Sequence, residues 1–249
     1  MIIDELLLMS GNDIPFPEAQ LIIHNPTLKE IGLIGEETFF TGCGVLTFSR
    51  DNLTEEDRVN SMSLSEIEIL LMMMNNQEAS SAMQKNRISA LVVLTLLFPE
   101  YKITLAKQAI VLHKDEQDFF IDKNNFHIFK EILEKIFCLK GRSSTDPGYN
   151  PGGRLAQEIA DKLKQRQKIL AEQQGEQKIS ILSRYASILA IGLQLDLNDV
   201  LQYNIFQLYD QFNRFELFEQ FDIYIRAQLA GASGMKEVEN WKTDIHPNL

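Results

Sequence analysis

Cysteine is scarce in this sequence and does not pair. Cys43 and Cys138 lie far apart, with no CxxC or Cys-His companion. That excludes a disulfide framework and a zinc site of ordinary ligand spacing, and both thiols are expected as buried small hydrophobes. Long hydrophobic runs are missing too. The longest, Ile88 to Phe98, is about half of a membrane span, and no basic stretch leads into an apolar one at the start. The product is expected to stay in a reducing cytoplasm or in something assembled there. Positive charge is in deficit: 24 Lys and Arg face 35 Asp and Glu, a formal net charge of -11. Such a field opposes phosphate backbones and anionic lipid, so neither direct nucleic-acid binding nor a membrane is expected among its partners.

Catalytic signatures are also lacking. His24, His113, His127 and His246 are scattered, with no HExxH or HxH spacing to organise a metal. Gly32-Leu33-Ile34-Gly35 and Gly42-Cys43-Gly44 are not completed into a phosphate loop or a dinucleotide fingerprint. No GxSxG elbow occurs. Glu36-Glu37 and Glu55-Glu56-Asp57 are adjacent carboxylates that point apart on a helix, and Thr54 with Asp57 reads as a cap. The reading is of a protein that is not an enzyme, with no catalytic residue, cofactor or metal.

Packing material, by contrast, is plentiful, since 45% of the 249 residues are hydrophobic, enough for one large domain or two small ones. The opening MIIDELLLMSGNDIPFPEAQLIIHNP predicts two short apolar strands around a polar loop, a hairpin. Thr27 with Glu30 is a capping box, so a helix runs from about Thr27 through Gly35. Gly42 and Gly44 are expected to break the next helix. Leu64 to Met74 and Arg87 to Phe98 follow as helix candidates, the second with enough branched residues for a strand, and Pro99 ends it either way. YKITLAKQAIVLH and QDFFIDKNNF predict a second hairpin, after which Asp122 or Asn124 caps a helix from Phe126 to Leu139. Gly141 to Gly153, GRSSTDPGYNPGG, reads as an exposed connection. The expected class is α+β and predominantly α-helical: an α+β domain over 1–140 containing small hairpins, a linker over 141–153, and an all-helical domain with a C-terminal tail over 154–249.

The richest stretch is Asp196 to Leu229, read as one aromatic helix that Ala230-Gly231-Ala232 stops. Ile205, Leu208, Tyr209, Phe212 and Phe215 form one apolar stripe; Leu217, Phe218, Phe221, Tyr224 and Ile225 form a second, rotated from the first. More than one side of this helix needs covering, by its own bundle or by another molecule. Phe206, Tyr209, Phe212, Phe215, Phe218 and Trp241 are the candidates for packing that presents or forms an interface. Ahead of it, Ile179 to Leu195 reads as an apolar helix with Ser183, Ser187 and Gly192 as close-approach positions. Arg154 to Gln174 reads as a charged helix with a thin seam at Leu155, Ile159, Leu163, Ile169 and Leu170, flanked by Lys162, Lys164, Arg166 and Lys168. It lacks the aromatic interleaving of a nucleic-acid element. Its basic flank complements the acidic final helices, where Asp196, Asp199, Asp210, Glu216, Glu219 and Asp222 outnumber Arg214 and Arg226, and a head-to-tail ring is one consistent outcome.

The chain carries, in order, LIIHNPTLKEIGLIGEETFFTGCGVL near the start, Tyr149-Asn150-Pro151 before LAQEIADKLKQRQKILAEQQG, then ILSRYASILAIGL, LDLNDV, FQLYDQFNRF and IRAQLAGA with Trp241 nearby. This succession of motifs resembles a group of tailed-bacteriophage morphogenesis proteins. Members are regarded as tail assembly chaperones or as virion components near the neck and tail, including in crAss-like phages. The resemblance implies a virion structural protein of the neck or tail, assembled in the host cytoplasm, homo-oligomeric and bound to other phage structural or tail proteins. The alternative it implies is a tail assembly chaperone that shields an apolar tail or tape-measure segment and is absent from the finished particle.

Overall fold

The computed structural model describes residues 3–50, 61–75, 80–139, 180–232, 238 and 240–243. The fold is α+β, mostly helical, with two small antiparallel sheets. The expected 141–153 connection, the charged helix over 154–174, the Thr54–Asp57 cap and His246 lie outside the described residues.

The N-terminal hairpin sits later than expected. Asp4 accepts from the Leu6 amide at 2.8 Å and starts helix α1 (Glu5–Ser10), which Gly11 ends in the left-handed region. A side-chain cap and a permissive glycine turn the first apolar run into a helix instead of a strand. The hairpin follows as β1 (Ile14–Phe16) and β2 (Leu21–Ile23), with Ile14 opposite Ile23 and Phe16 opposite Leu21. Helix α2 (Leu28–Ile34) has the capping box read from Thr27 and Glu30. Helix α3 (Glu36–Leu46) then runs unbroken through both glycines, against expectation. A Cβ on Gly42 would lie 2.5 Å from Val93 Cγ2, so close packing against a neighbouring helix uses the missing side chain. The neighbour is α5 (Ser81–Leu97), reached through α4 (Glu66–Asn75). Burial of Phe39, Cys43 and Leu46 at 0% exposure outweighs the roughly 1 kcal/mol that each interior glycine costs.

Beyond Pro99 the chain forms a three-stranded meander where a hairpin was expected. Strands β3 (Lys102–Leu105), β4 (Ile110–Lys114) and β5 (Gln117–Ile121) pair in that order. The run YKITLAKQAIVLH divides because Ala106 donates its amide to the Ala109 carbonyl at 3.0 Å and closes a turn. Helix α6 (Phe126–Ile136) follows, but neither expected residue caps it through its side chain. Asp122 instead accepts from the Asn124 amide, and the Asn125 carboxamide accepts from the Asp122 amide. Cys43 is buried as read, whereas Cys138 is only half-buried.

After residue 180 come α7 (Ile181–Gly192), the single turn α8 (Leu197–Val200) and the long α9 (Ile205–Leu229). The single helix expected from Asp196 to Leu229 is therefore two. These helices share one hydrophobic core with the N-terminal half. Phe16, Phe98 and Phe129 form a stacked spine at centroid distances of 6.1 and 6.2 Å, Phe39 meets Phe137 edge-on at 4.9 Å, and Ile205, Phe206 and Leu208 complete the same cluster.

Candidate association surface

Helix α9 is anchored at its first turn. Asn204 and Gln207 make a capping box, and each side chain also reaches α1: Asn204 donates to the Leu8 carbonyl at 3.1 Å and Gln207 to the Met9 carbonyl at 2.7 Å. Ahead of the cap, the Leu28 amide donates to the Tyr203 carbonyl at 2.8 Å and the Lys29 amide to the Leu201 carbonyl at 3.0 Å. Helix α7 is tied down likewise. The Ile181 amide donates to Glu36 Oε1 at 3.1 Å, and the Ser180 hydroxyl donates to the same carboxylate. The start of the C-terminal helices is thus held by polar groups of α1, α2 and α3.

From this anchor the candidate aromatics of α9 pass from buried Phe206 and Phe212 to half-buried Phe215 and exposed Phe218. Phe206 is 1% exposed. Tyr209 is half-buried, edge-on to Tyr185 at 5.7 Å, while Phe212 stacks on the same ring at 3.8 Å. Phe215 is half-buried over Gly192, where a Cβ would stand 2.7 Å from its Cε2. That contact gives the glycine its role, whereas Ser183 and Ser187 are exposed. Contact with the core ends at Phe215. Phe218 is 46% exposed, and Trp241 meets it edge-on at 5.8 Å. Beyond it Ile223 and Leu229 are 63% and 83% exposed, and Leu217, Phe221, Tyr224 and Ile225 are half-buried. The first stripe is core; the second lies outside it. The final 14 residues of the helix, about 21 Å at 1.5 Å per residue, include no buried position.

Charge on α9 is arranged in two i,i+4 pairs, Asp210 with Arg214 at 3.0 Å and Asp222 with Arg226 at 2.8 Å. Glu216 and Glu219, between them, make no ion pair among the described residues. Sequence reading missed the Asn204 cap, although its spacing to Gln207 was a readable signal. It also missed the exposed apolar edge of α7, where Ile188 and Ile191 are 37% and 80% exposed.

Polar clusters elsewhere are engaged in holding elements together. His24 Nδ1 lies 2.8 Å from Asp13 and its Nε2 3.1 Å from Glu30, joining the hairpin to α2. Burial pushes the Glu30 carboxyl up, but hydrogen bonds from the Thr27 amide and hydroxyl, with His24 beside them, outweigh it and hold the group below its ordinary range. His113 pairs with Asp118 at 2.6 Å across β4 and β5. Asp118 and Asp122 line an open polar cleft of about 360 Å³ beside the Pro17–Ala19 turn. Among the described residues no group of three His, Cys, Asp or Glu side chains is placed to hold a metal, and no helix is long and apolar enough to cross a membrane.

Fold and surface together define an α+β protein whose last helix runs beyond its own core. The family model described as the YomV second domain matches residues 174–246, the stretch that contains α7, α8 and α9. That family is phage-derived, and the match supports a phage protein. No curated protein and no solved structure matches the chain.

Proposed function

We propose that this chain is a non-enzymatic phage protein that acts by association, built into the neck or tail region of the particle and bound there to other structural proteins through the distal half of α9. The observation that carries the reading is the second apolar stripe. Phe218 is 46% exposed and Leu217, Phe221, Tyr224 and Ile225 are only half-buried, on a helix whose opposite end is fixed by two sets of cap hydrogen bonds. A rigidly based helix presenting apolar side chains loses little ordering entropy on binding, which suits it to an assembly contact. The engaged states of His24 and His113 support a structural role for these histidines over a catalytic one. The similarity of residues 174–246 to a phage-derived family supports the setting.

Quantitative mass spectrometry of purified particles of the encoding phage tests this. A fixed copy number relative to the portal and major capsid proteins is the expected result. Abundance in infected cells with absence from particles overturns it in favour of a tail assembly chaperone.

A further inference from the structure

Strand β5 is an outer strand of its sheet, and the register leaves a row of its backbone groups outside the ladder. The Ala106 amide bonds the Ala109 carbonyl, so by the alternation of antiparallel ladders Thr104 and Lys102 exchange bonds with Val111 and His113. Ile110, Leu112 and Lys114 are then the β4 residues that bond β5, through Ile121, Phe119 and Gln117. The backbone amides and carbonyls of Asp118 and Phe120 therefore point away from β4. Asn125 engages one end of this edge. Its carboxamide donates to the Phe120 carbonyl at 2.9 Å and accepts from the Asp122 amide at 2.9 Å, as a neighbouring strand's peptide group would. The same carboxamide donates to the Glu18 carbonyl at 3.5 Å, which sets the edge against the Pro17–Ala19 turn across the cleft of about 360 Å³. The Asp118 amide and carbonyl and the Phe120 amide have no partner among the described residues.

The walls of the cleft carry one sign of charge. Glu18, Asp118 and Asp122 line it, and no Lys, Arg or His does. The Asp118 carboxylate is taken by His113 at 2.6 Å, but Asp122 is held only by the neutral amides of Asn124, and Glu18 is exposed with no ion pair among the described residues. Phe120, on the same edge, is 47% exposed. We infer that β5 takes an extended, lysine- or arginine-bearing segment of a partner protein as an added strand. The segment's backbone bonds Asp118 and Phe120, and a basic side chain lies between Glu18 and Asp122. Main-chain bonds at the edge supply the affinity, and the acidic walls select the charge of the strand. The cleft shares no residue with α9, so this contact is additional to the one proposed there.

Amide hydrogen exchange of the full-length chain, followed by NMR, tests this with the peptide acetyl-Lys-Val-Lys-Val-Lys-amide as the probe. Without peptide, the Asp118 and Phe120 amides exchange fast, while those of Phe119 and Ile121, bonded to β4, are protected. Peptide at roughly 5 mM slows exchange at Asp118 and Phe120 by about tenfold or more. The acetyl-Glu-Val-Glu-Val-Glu-amide counterpart does not, and Glu18→Lys weakens binding of the lysine peptide several-fold. Phe120→Pro abolishes the slowing at Asp118, because it removes an outward donor that the β4 ladder does not use. No slowing at that concentration, equal slowing by the acidic peptide, or Asp118 and Phe120 amides already protected without peptide overturns the inference. Protection that rises with protein concentration alone also overturns it, by giving the edge to a second copy. The peptide series on the wild type decides the matter even where a variant folds poorly. None of these outcomes depends on copy number in particles, which tests the neck or tail assignment separately.

Discussion

Thr27 and Asn204 pair as an antiparallel bridge, and each is the N-cap of a helix closed by its own capping box. Two helix starts 177 positions apart are thereby fixed to one another (204 − 27). Asn204 is 1% exposed and carries three hydrogen bonds through its side chain and amide. Asn204→Ala is expected to cost about 2–3 kcal/mol, from the lost cap and the stranded Leu8 carbonyl. Asn204→Asp keeps the cap acceptor but cannot donate to Leu8, and should fall between the two. Urea unfolding midpoints of the three proteins check the order.

Gly192 and the Phe215 ring meet where α7 ends. Gly192→Ala is expected to destabilise by about 1–3 kcal/mol through overpacking, despite alanine's better helix propensity. Phe215→Ala in the same chain should relieve most of that strain, so a double-mutant cycle is expected to show coupling above about 0.5 kcal/mol. Additive effects would dissolve the contact.

The aromatic series along α9 separates folding from association. Phe206→Asp places a charge in the core and is expected to abolish folding. Phe218→Asp should leave the circular dichroism spectrum and melting temperature close to wild type while weakening assembly. Phe215→Asp, at the core margin, is expected to lose assembly or folding. Trp241 is the sole tryptophan and touches Phe218, so its emission should shift in Phe218→Asp and report occupancy of this face.

Glu66 and Lys130 join α4 to α6, with the Arg50 amide donating to the same carboxylate at 3.2 Å. Burial raises the Glu66 carboxyl, but Lys130 and the Arg50 amide outweigh it and hold the group below 4.5. A carboxyl depressed in the folded state contributes stability that is full above its unfolded value and is lost as pH falls through the folded one. Glu66→Gln is thus expected to cost about 1–2 kcal/mol at pH 7 and progressively less below about pH 4.5. Denaturant midpoints at pH 7 and pH 3 measure the difference.

What was legible in the sequence was local. The Thr27–Glu30 capping box depends on residues three apart, and the α9 stripes follow from helical periodicity, so both could be read from neighbours in the chain. Asn204 with Gln207 carried the same kind of signal and was overridden by the continuous apolar rhythm around it. The division of YKITLAKQAIVLH into two strands depended on a turn at Ala106 to Ala109 that contains no glycine or proline to announce it.

The helical character of the chain, its acidic balance and the two-sided apolarity of its final helix were determined by the sequence alone, because composition and short-range spacing suffice to set them. Tertiary structure decided which of those surfaces became core. Gly42 continues a helix because Val93 and Ser89 occupy the space of its missing side chain. His24 lies between Asp13 and Glu30 because a hairpin and a helix converge there. Phe206 is buried and Phe218 exposed because α7 ends at Gly192, level with Phe215, and α9 extends past it. Each outcome depends on where a distant segment stops, a quantity fixed by packing between elements and absent from local periodicity.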